Sequence, residues 1–261
     1  MILAKRIALN GNYLDAQDTS IVIRRIDPGV PKESVSAVSL MGGYGQRMTM
    51  QHFDTLEVSV TFAIDKPKKS MDERRAVFDK AIAWASQKGW LTVNWMENRR
   101  MYVDKVVYPS SGDMWNWTDE YTIVFRAYGV PFWQDDTTTE AQNTLSAGTA
   151  KTITLTAAGT VETVMDVEYT NTSSSTCTTF KIEIAGKTLE LTGLTLAQNK
   201  SLIITHGTDG ILEITEDGVS AYGKQTGGGM DDLYIQPGEN SIRVTAQRAG
   251  NITLSCYGRY M

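Results

Sequence analysis

Of 261 residues, one segment carries helical periodicity, and nearly every other patterned stretch repeats with period two. The clearest case is 56–64, where Leu56, Val58, Val60, Phe62 and Ile64 alternate with Glu57, Ser59, Thr61 and Ala63. Alternate side chains of a strand point to opposite faces, so this segment reads as a strand with one apolar face. The helical exception follows it. Ser70 and Glu73 form a capping box, Val77, Phe78, Ala81, Ile82 and Ala85 make an apolar stripe with Trp84 at its edge, and Gly89 stands where a helix stop is expected. A chain patterned this way has to bury sheet faces against each other or against that one helix.

The first half reads as α+β. Ile21, Val22 and Ile23 form a strand core ended by the turn Asp27-Pro28-Gly29. Beyond the helix, strand patterns cover 90–95 and 101–108, and Tyr121, Ile123, Phe125 and Ala127 alternate with polar or smaller residues. The domain closes at Pro131-Phe132-Trp133, and the aperiodic polar stretch after it reads as a linker. The second half reads as all-β. Short strand cores (Ile153 and Leu155; Phe180, Ile182 and Ile184; 189–191; 202–204; 211–214) are separated by Gly, Asn, Asp and Ser. A last hairpin is expected from Ile242, Val244 and Ala246, a turn at Gly250-Asn251, then Ile252, Leu254 and Cys256. The expected division is 1–135, a linker at 136–148, and a β-sandwich or jelly roll at 149–261.

Charge separates the halves. Residues 1–135 hold 17 Lys and Arg against 16 Asp and Glu, while the rest hold 8 against 14. The overall −5 argues against nucleic acid as a simple electrostatic partner. The start, Met1 to Arg6, puts charge where a signal peptide needs an apolar run, and no stretch reaches membrane-spanning length, so membrane insertion is not expected. Cys177 and Cys256 alone cannot make a disulfide framework; a reduced cytosolic fold with Cys256 in the core is expected.

No catalytic or cofactor pattern emerges. His52 and His206 fall in different predicted domains without the clustered ligands a zinc site needs, and read as surface or interface residues. The acidic neighbours Asp135-Asp136, Glu216-Asp217 and Asp231-Asp232 read as solvated turns, and Gly227-Gly228-Gly229 as a flexible loop. Asn116, Asn171 and Asn251 begin glycosylation patterns that mean little without a secretion signal. The expectation is therefore no enzyme, no metal and no cofactor. All six tryptophans lie in the first half, which leaves a sugar site in the second half only tyrosines such as Tyr222 and Tyr234.

Taken in order, these parts resemble the distal tail protein (Dit) family of long, non-contractile-tailed bacteriophages. The residues that carry the resemblance are Met41-Gly42-Gly43-Tyr44-Gly45, the strand 56–64, the capped helix 70–88, the strands 90–95 and 101–108, and 121–125 running into Pro131-Phe132-Trp133. In the second half, Gln236-Pro237-Gly238-Glu239-Asn240 resembles the turn before the penultimate strand of the family's carbohydrate-module-like sandwich. The resemblance spans nearly the whole chain and rests on order and spacing, since no single motif is specific. It implies a mainly β fold with one helix: an N-terminal α+β ring-forming domain with an extended hairpin arm, and a C-terminal sandwich. It further implies a virion protein of the tail tip, assembled in the host bacterial cytoplasm as a homo-hexameric ring. The partners implied are the tail tube protein and the tail-associated hub, then tape measure and receptor-binding proteins, with DNA only in transit.

The hairpin suggested by 34–53 has Val35, Ala37, Ser39, Met48 and Met50 alternating around a Gly-rich centre, with too few large side chains for a core of its own. Val38, Met41, Gly42, Gly43, Tyr44, Gly45, Met48 and Met50 are the candidate inter-subunit arm, methionine being adaptable at contact surfaces. An ordinary hairpin folded on its own domain is the alternative. Trp115 and Trp117, in the loop 110–119, are candidate interface aromatics, with packing over their own sheet as the competing reading. A receptor- or glycan-binding module is the competing function, and a cell-wall hydrolase a third that lacks a visible catalytic pair.

Overall fold

The computed structural model describes residues 5–39, 46–65, 70–109, 120–227 and 233–261. The chain divides into two compact units, one ending at Trp133 and joined by Met261, the other spanning Gln134–Tyr260.

In the first unit, β1 (Ile7–Leu9) and β2 (Asn12–Tyr13) form a tight hairpin, followed by β3 (Ile21–Asp27), β4 (Lys32–Ser39) and the long β5 (Gln46–Ile64). Helix α1 (Met71–Ala85) precedes β6 (Gly89–Val93), β7 (Arg99–Val103), β8 (Lys105–Val107) and β9 (Glu120–Ala127). Strand β10 (Trp133–Asp135) sits at the division. One sheet runs β3-β5-β9-β8; in the other, β2, β1, β6 and β7 are successive neighbours. The alternation in β5 works as expected: Leu56, Val58, Val60 and Phe62 are fully buried, opposite Ile123, Phe125 and Ala127 of β9. Each such side chain contributes about 1.5–3 kcal/mol of transfer free energy.

Helix α1 begins as its capping box requires. Ser70 Oγ accepts from Glu73 N–H at 3.3 Å, and Ser70 N–H donates to Glu73 Oε2 at 2.8 Å. Trp84, at the edge of the buried stripe, is itself buried: its ring meets Phe125 edge-on at 5.8 Å and its indole N–H donates to Asn12 O at 2.7 Å. This one side chain ties the helix to both sheets. The helix also stops earlier than Gly89. Ser86, in right-handed helical conformation, caps it through Ile82 O, and Gly89 opens β6 with φ +142°. A side chain at Gly89 would collide with Asn10, whose amide bridges Lys88 O and Trp90 N.

The patterned stretch 101–108 is two strands in two sheets. Asp104 separates β7 from β8: its N–H donates to Arg126 O, while its carboxylate accepts from the Tyr128 and Gly129 amides at 2.6 and 3.2 Å.

The second unit continues with β11 (Thr139–Leu145), β12 (Lys151–Ala157), β13 (Thr163–Asn171), β14 (Cys177–Ile184), β15 (Lys187–Leu196) and β16 (Ser201–His206). It ends with β17 (Leu212–Glu216), β18 (Val219–Ser220), β19 (Gln225–Gly227), β20 (Tyr234–Ile235), β21 (Gly238–Ala246), β22 (Gly250–Cys256) and β23 (Arg259–Tyr260). Two antiparallel sheets, β11-β22-β13-β16-β17-β18 and β12-β21-β14-β15-β19, enclose one core. Cys177 and Cys256 are both inside it as free thiols.

Two sequence expectations fail in this unit. Residues 139–145, expected within the linker, form β11 and pair along their whole length with β22. Both faces of β11 are polar except at Ala141 and Leu145, so the backbone ladder places it rather than any hydrophobic pattern. The expected last hairpin does not form either. β21 pairs with β12 and β14, whereas β22 pairs with β11 and β13 in the opposite sheet. The connection 247–249 is fastened to both sheets: Thr178 N–H and Oγ donate to Gln247 Oε1, and the Tyr169 hydroxyl donates to Arg248 O. Gly250 then passes so close to Tyr169 that a Cβ would lie 2.4 Å from its ring. The turn at 236–240 is held by Asn240, whose amide N–H donates to Gln236 O and Gly238 O.

Candidate functional site

Strand β5 does more than fill the sheet. Its residues 56–64 are flanked by β3 and β9, whereas 46–55 pair with β4, in register from Lys32↔Thr55 out to Ser39↔Gln46. At about 3.4 Å per residue, these ten residues carry the hairpin about 34 Å along the strand from the last β9 pairing. Two register shifts, at Lys32/Glu33 and Ser36/Ala37, add local twist. Val35 is 54% exposed, and Glu33 and Ser36 are exposed as well.

The root of the hairpin is firmly built. Gly29 N–H donates to Asp27 Oδ1, and Gly29 has φ +62° with room for no Cβ, which would lie 2.0 Å from Glu57 O. Trp133 donates its indole N–H to Pro28 O at 3.3 Å, and Phe53 meets Phe132 edge-on at 5.1 Å. Glu57 lies between Lys32 Nζ at 2.8 Å and Arg126 Nε at 2.9 Å. The hydrogen bond from Lys32, reinforced by both positive charges, holds the Glu57 carboxyl below its ordinary pKa.

Of the candidate arm residues, Val38 pairs with Arg47, Met48 with Ala37 and Met50 with Ser36. Met41, Gly42, Gly43, Tyr44 and Gly45 lie outside the described residues, as do Trp115 and Trp117. Across the other face of the hairpin, Asp54 accepts from Ser34 Oγ and lies 2.6 Å from His52 Nε2. The hydroxyl donates to the carboxylate rather than to the imidazole, so this trio is not arranged to activate a nucleophile. His206 departs from its expected surface position: its side chain is only 6% exposed, with Nδ1 3.5 Å from Asp166 Oδ1. Glu216 is likewise no solvated turn residue. It is buried, accepts from Thr195 N–H and pairs with Lys224.

The sequence pattern did not announce a hollow of about 300 Å³ beside the hairpin root, lined by Lys5, Ile26, Pro28, Asn94 and Trp95. Its lining comes from the end of β3, the turn after it, the residues following β6 and the stretch before β1. Trp95 falls just past the end of β6 and keeps 41% of its surface exposed, with Lys5 Nζ 5.9 Å from its ring centroid. Asn94 is set by its backbone and side-chain bonds to the Arg6 main chain. The sequence reading ran the strand 90–95 through Trp95, whereas the ladder ends at Val93 and leaves Trp95 beyond it.

No protein-family model and no curated protein matches the sequence. Solved structures do match. The crystal structure of the Dit protein of phage SPP1, described as a paradigm of the hub adsorption apparatus in Gram-positive infecting phages, aligns with a TM-score of 0.66 at 10% identity, covering 96% of this chain and 98% of that one. A chain of the phage P2 baseplate in its calcium-activated conformation aligns with a TM-score of 0.47 at 9% identity, covering 98% of each. Along almost its entire length, then, this chain has a Dit-like fold, mainly β with one helix.

Proposed function

We propose that this chain is a structural protein of a phage tail tip, a homo-hexameric ring that joins the tail tube to the hub and lets DNA pass through its lumen. The observation that carries the reading is the β4–β5 hairpin, which continues for ten residues beyond the last β9 pairing at Leu56, with Glu33, Val35, Ser36, His52 and Asp54 exposed. An isolated two-stranded hairpin is marginal in water, so a partner surface is the natural source of its stability. Its root supports the same role. Glu57, Phe53 and Gly29 hold the arm at a set angle, as a reach toward a neighbour requires. The end-to-end likeness to the SPP1 Dit protein adds support from the fold.

On this reading the tail tube protein and the tail-associated hub meet the two faces of the ring, and tape measure and receptor-binding proteins are further partners. Assembly takes place in the host bacterial cytoplasm, with which two buried free thiols are compatible. No catalytic step is assigned to the chain. Deleting 38–49 and measuring mass in solution, with negative-stain imaging of the full-length protein, tests the arm. Rings from full-length protein and none from the deletion are expected; rings from both refute the arm. A glycan-binding role for the second unit is the alternative, supported by Tyr222 at 52% exposure. A glycan array with full-length protein and Tyr222→Ala decides it.

A further inference from the structure

The hollow at the hairpin root has three properties that together specify an occupant. Its walls, Ile26, Pro28 and Trp95, are apolar, so it favours an aliphatic or flat side chain. Its rim carries the Lys5 ammonium over the indole, so it favours a carboxylate close to that side chain. It adjoins the turn from which the hairpin leaves the sheet, so anything reaching along this surface from a neighbour passes over it.

The chain carries a matching feature on the hairpin itself. Between Glu33 and Ser36 the β4–β5 register is regular, so Glu33 and Val35 share one face while Ser34, with His52, takes the other. Residues two apart on a strand are about 7 Å apart. That is close to the 5.9 Å between Lys5 Nζ and the Trp95 ring centroid. Val35 is 54% exposed in its own chain.

The geometry points to the hollow as the receptor for strand β4 of a second copy, with Val35 seated against Trp95, Ile26 and Pro28, and Glu33 paired with Lys5. This rests on the arm reading above and gives that arm its docking point. The contact is heterologous: each copy gives one strand face and offers one hollow, an arrangement that forms a ring when the rotation between copies closes. Most of the energy comes from covering the indole and the valine, while the charge pair sets register and is screened by salt.

Charge exchange in the full-length protein tests the proposal. Sedimentation velocity at low salt is run on wild type, Lys5→Glu, Glu33→Lys and the double variant, with tryptophan fluorescence and circular dichroism checking the fold. Each single variant is expected to weaken assembly about tenfold, and the double variant to return within about threefold of wild type. Trp95→Ala, which removes a wall of the hollow, is expected to weaken assembly about tenfold without charge rescue. If wild type assembles, the 38–49 deletion does not, and the single charge variants match wild type, the docking point is overturned while the arm stands. The docking point is equally overturned if the double variant stays as weak as the singles. A wild type that remains monomeric at every concentration overturns both.

Discussion

Two glycines of the first unit share an unusual backbone conformation and differ in the space around them. Gly11 has φ +78°, and a Cβ there would meet nothing within 4 Å; Gly29 has φ +62°, and a Cβ there would lie 2.0 Å from Glu57 O. Gly11→Ala therefore costs only the left-handed penalty, about 1 kcal/mol. Gly29→Ala adds a backbone collision. β5 at Glu57 is paired with β9, so it is the turn that has to lift, by roughly 1 Å, to restore van der Waals separation. That overpacking costs about 1–3 kcal/mol, for a total of about 2–4 kcal/mol. With an m-value of about 1.5 kcal/mol/M, the urea midpoint falls by about 2 M for Gly29→Ala and by under about 1 M for Gly11→Ala. All six tryptophans lie in the first unit, so indole fluorescence follows its unfolding without interference from the second. Equal shifts for the two variants would refute the claim that close approach to Glu57, and not φ alone, requires glycine at the arm root.

Three further outcomes can be checked on the same protein. Trp84→Phe leaves Asn12 O without its indole donor and opens space between helix and sheets; a loss of about 2 kcal/mol in the fluorescence-detected transition is expected, and a loss below about 0.5 kcal/mol would contradict the tie described for it. Ser70→Ala removes half of the capping box and should lower stability by about 1 kcal/mol in the same assay, whereas Ser70→Asp should retain most of it. In the second unit, burial, aided by Asp166 and Asp135, pushes the Cys256 thiol up to about 11 from its usual 9.0. Between those values the folded state holds a proton that the unfolded state has released, so stability falls as pH rises through that window. Urea midpoints followed by far-ultraviolet circular dichroism from pH 8.5 to about 11 should fall less steeply in Cys256→Ala; identical slopes would show that the thiol is not a source of the pH dependence.

Local signals in this chain were reliable where a single element could satisfy them by itself. The capping box at Ser70 and Glu73 and the one-faced alternation from Leu56 to Phe62 are properties of a turn or a strand alone, and both appear as read. Val244 and Leu254 also carry correct strand alternation, yet period two cannot say which sheet a strand joins, and they face the same core from opposite sheets. The same limit hid β11, which has almost no apolar pattern and is recruited by backbone pairing. It hid the break at Asp104 too, where one carboxylate satisfies two amides and divides an apparently continuous strand.

The sequence by itself determined that this chain is built from sheets with one helix, because side-chain periodicity follows directly from backbone geometry. It also pointed to the hairpin, since a run of strand residues without large apolar partners cannot make a core. Only the tertiary structure decided which strands are neighbours, how Gly29 and Glu57 fasten the hairpin root, and that Trp95, Lys5, Ile26 and Pro28 meet in one hollow. Those residues are drawn from three separated stretches of chain. Their meeting depends on long-range packing, which no window along the sequence contains.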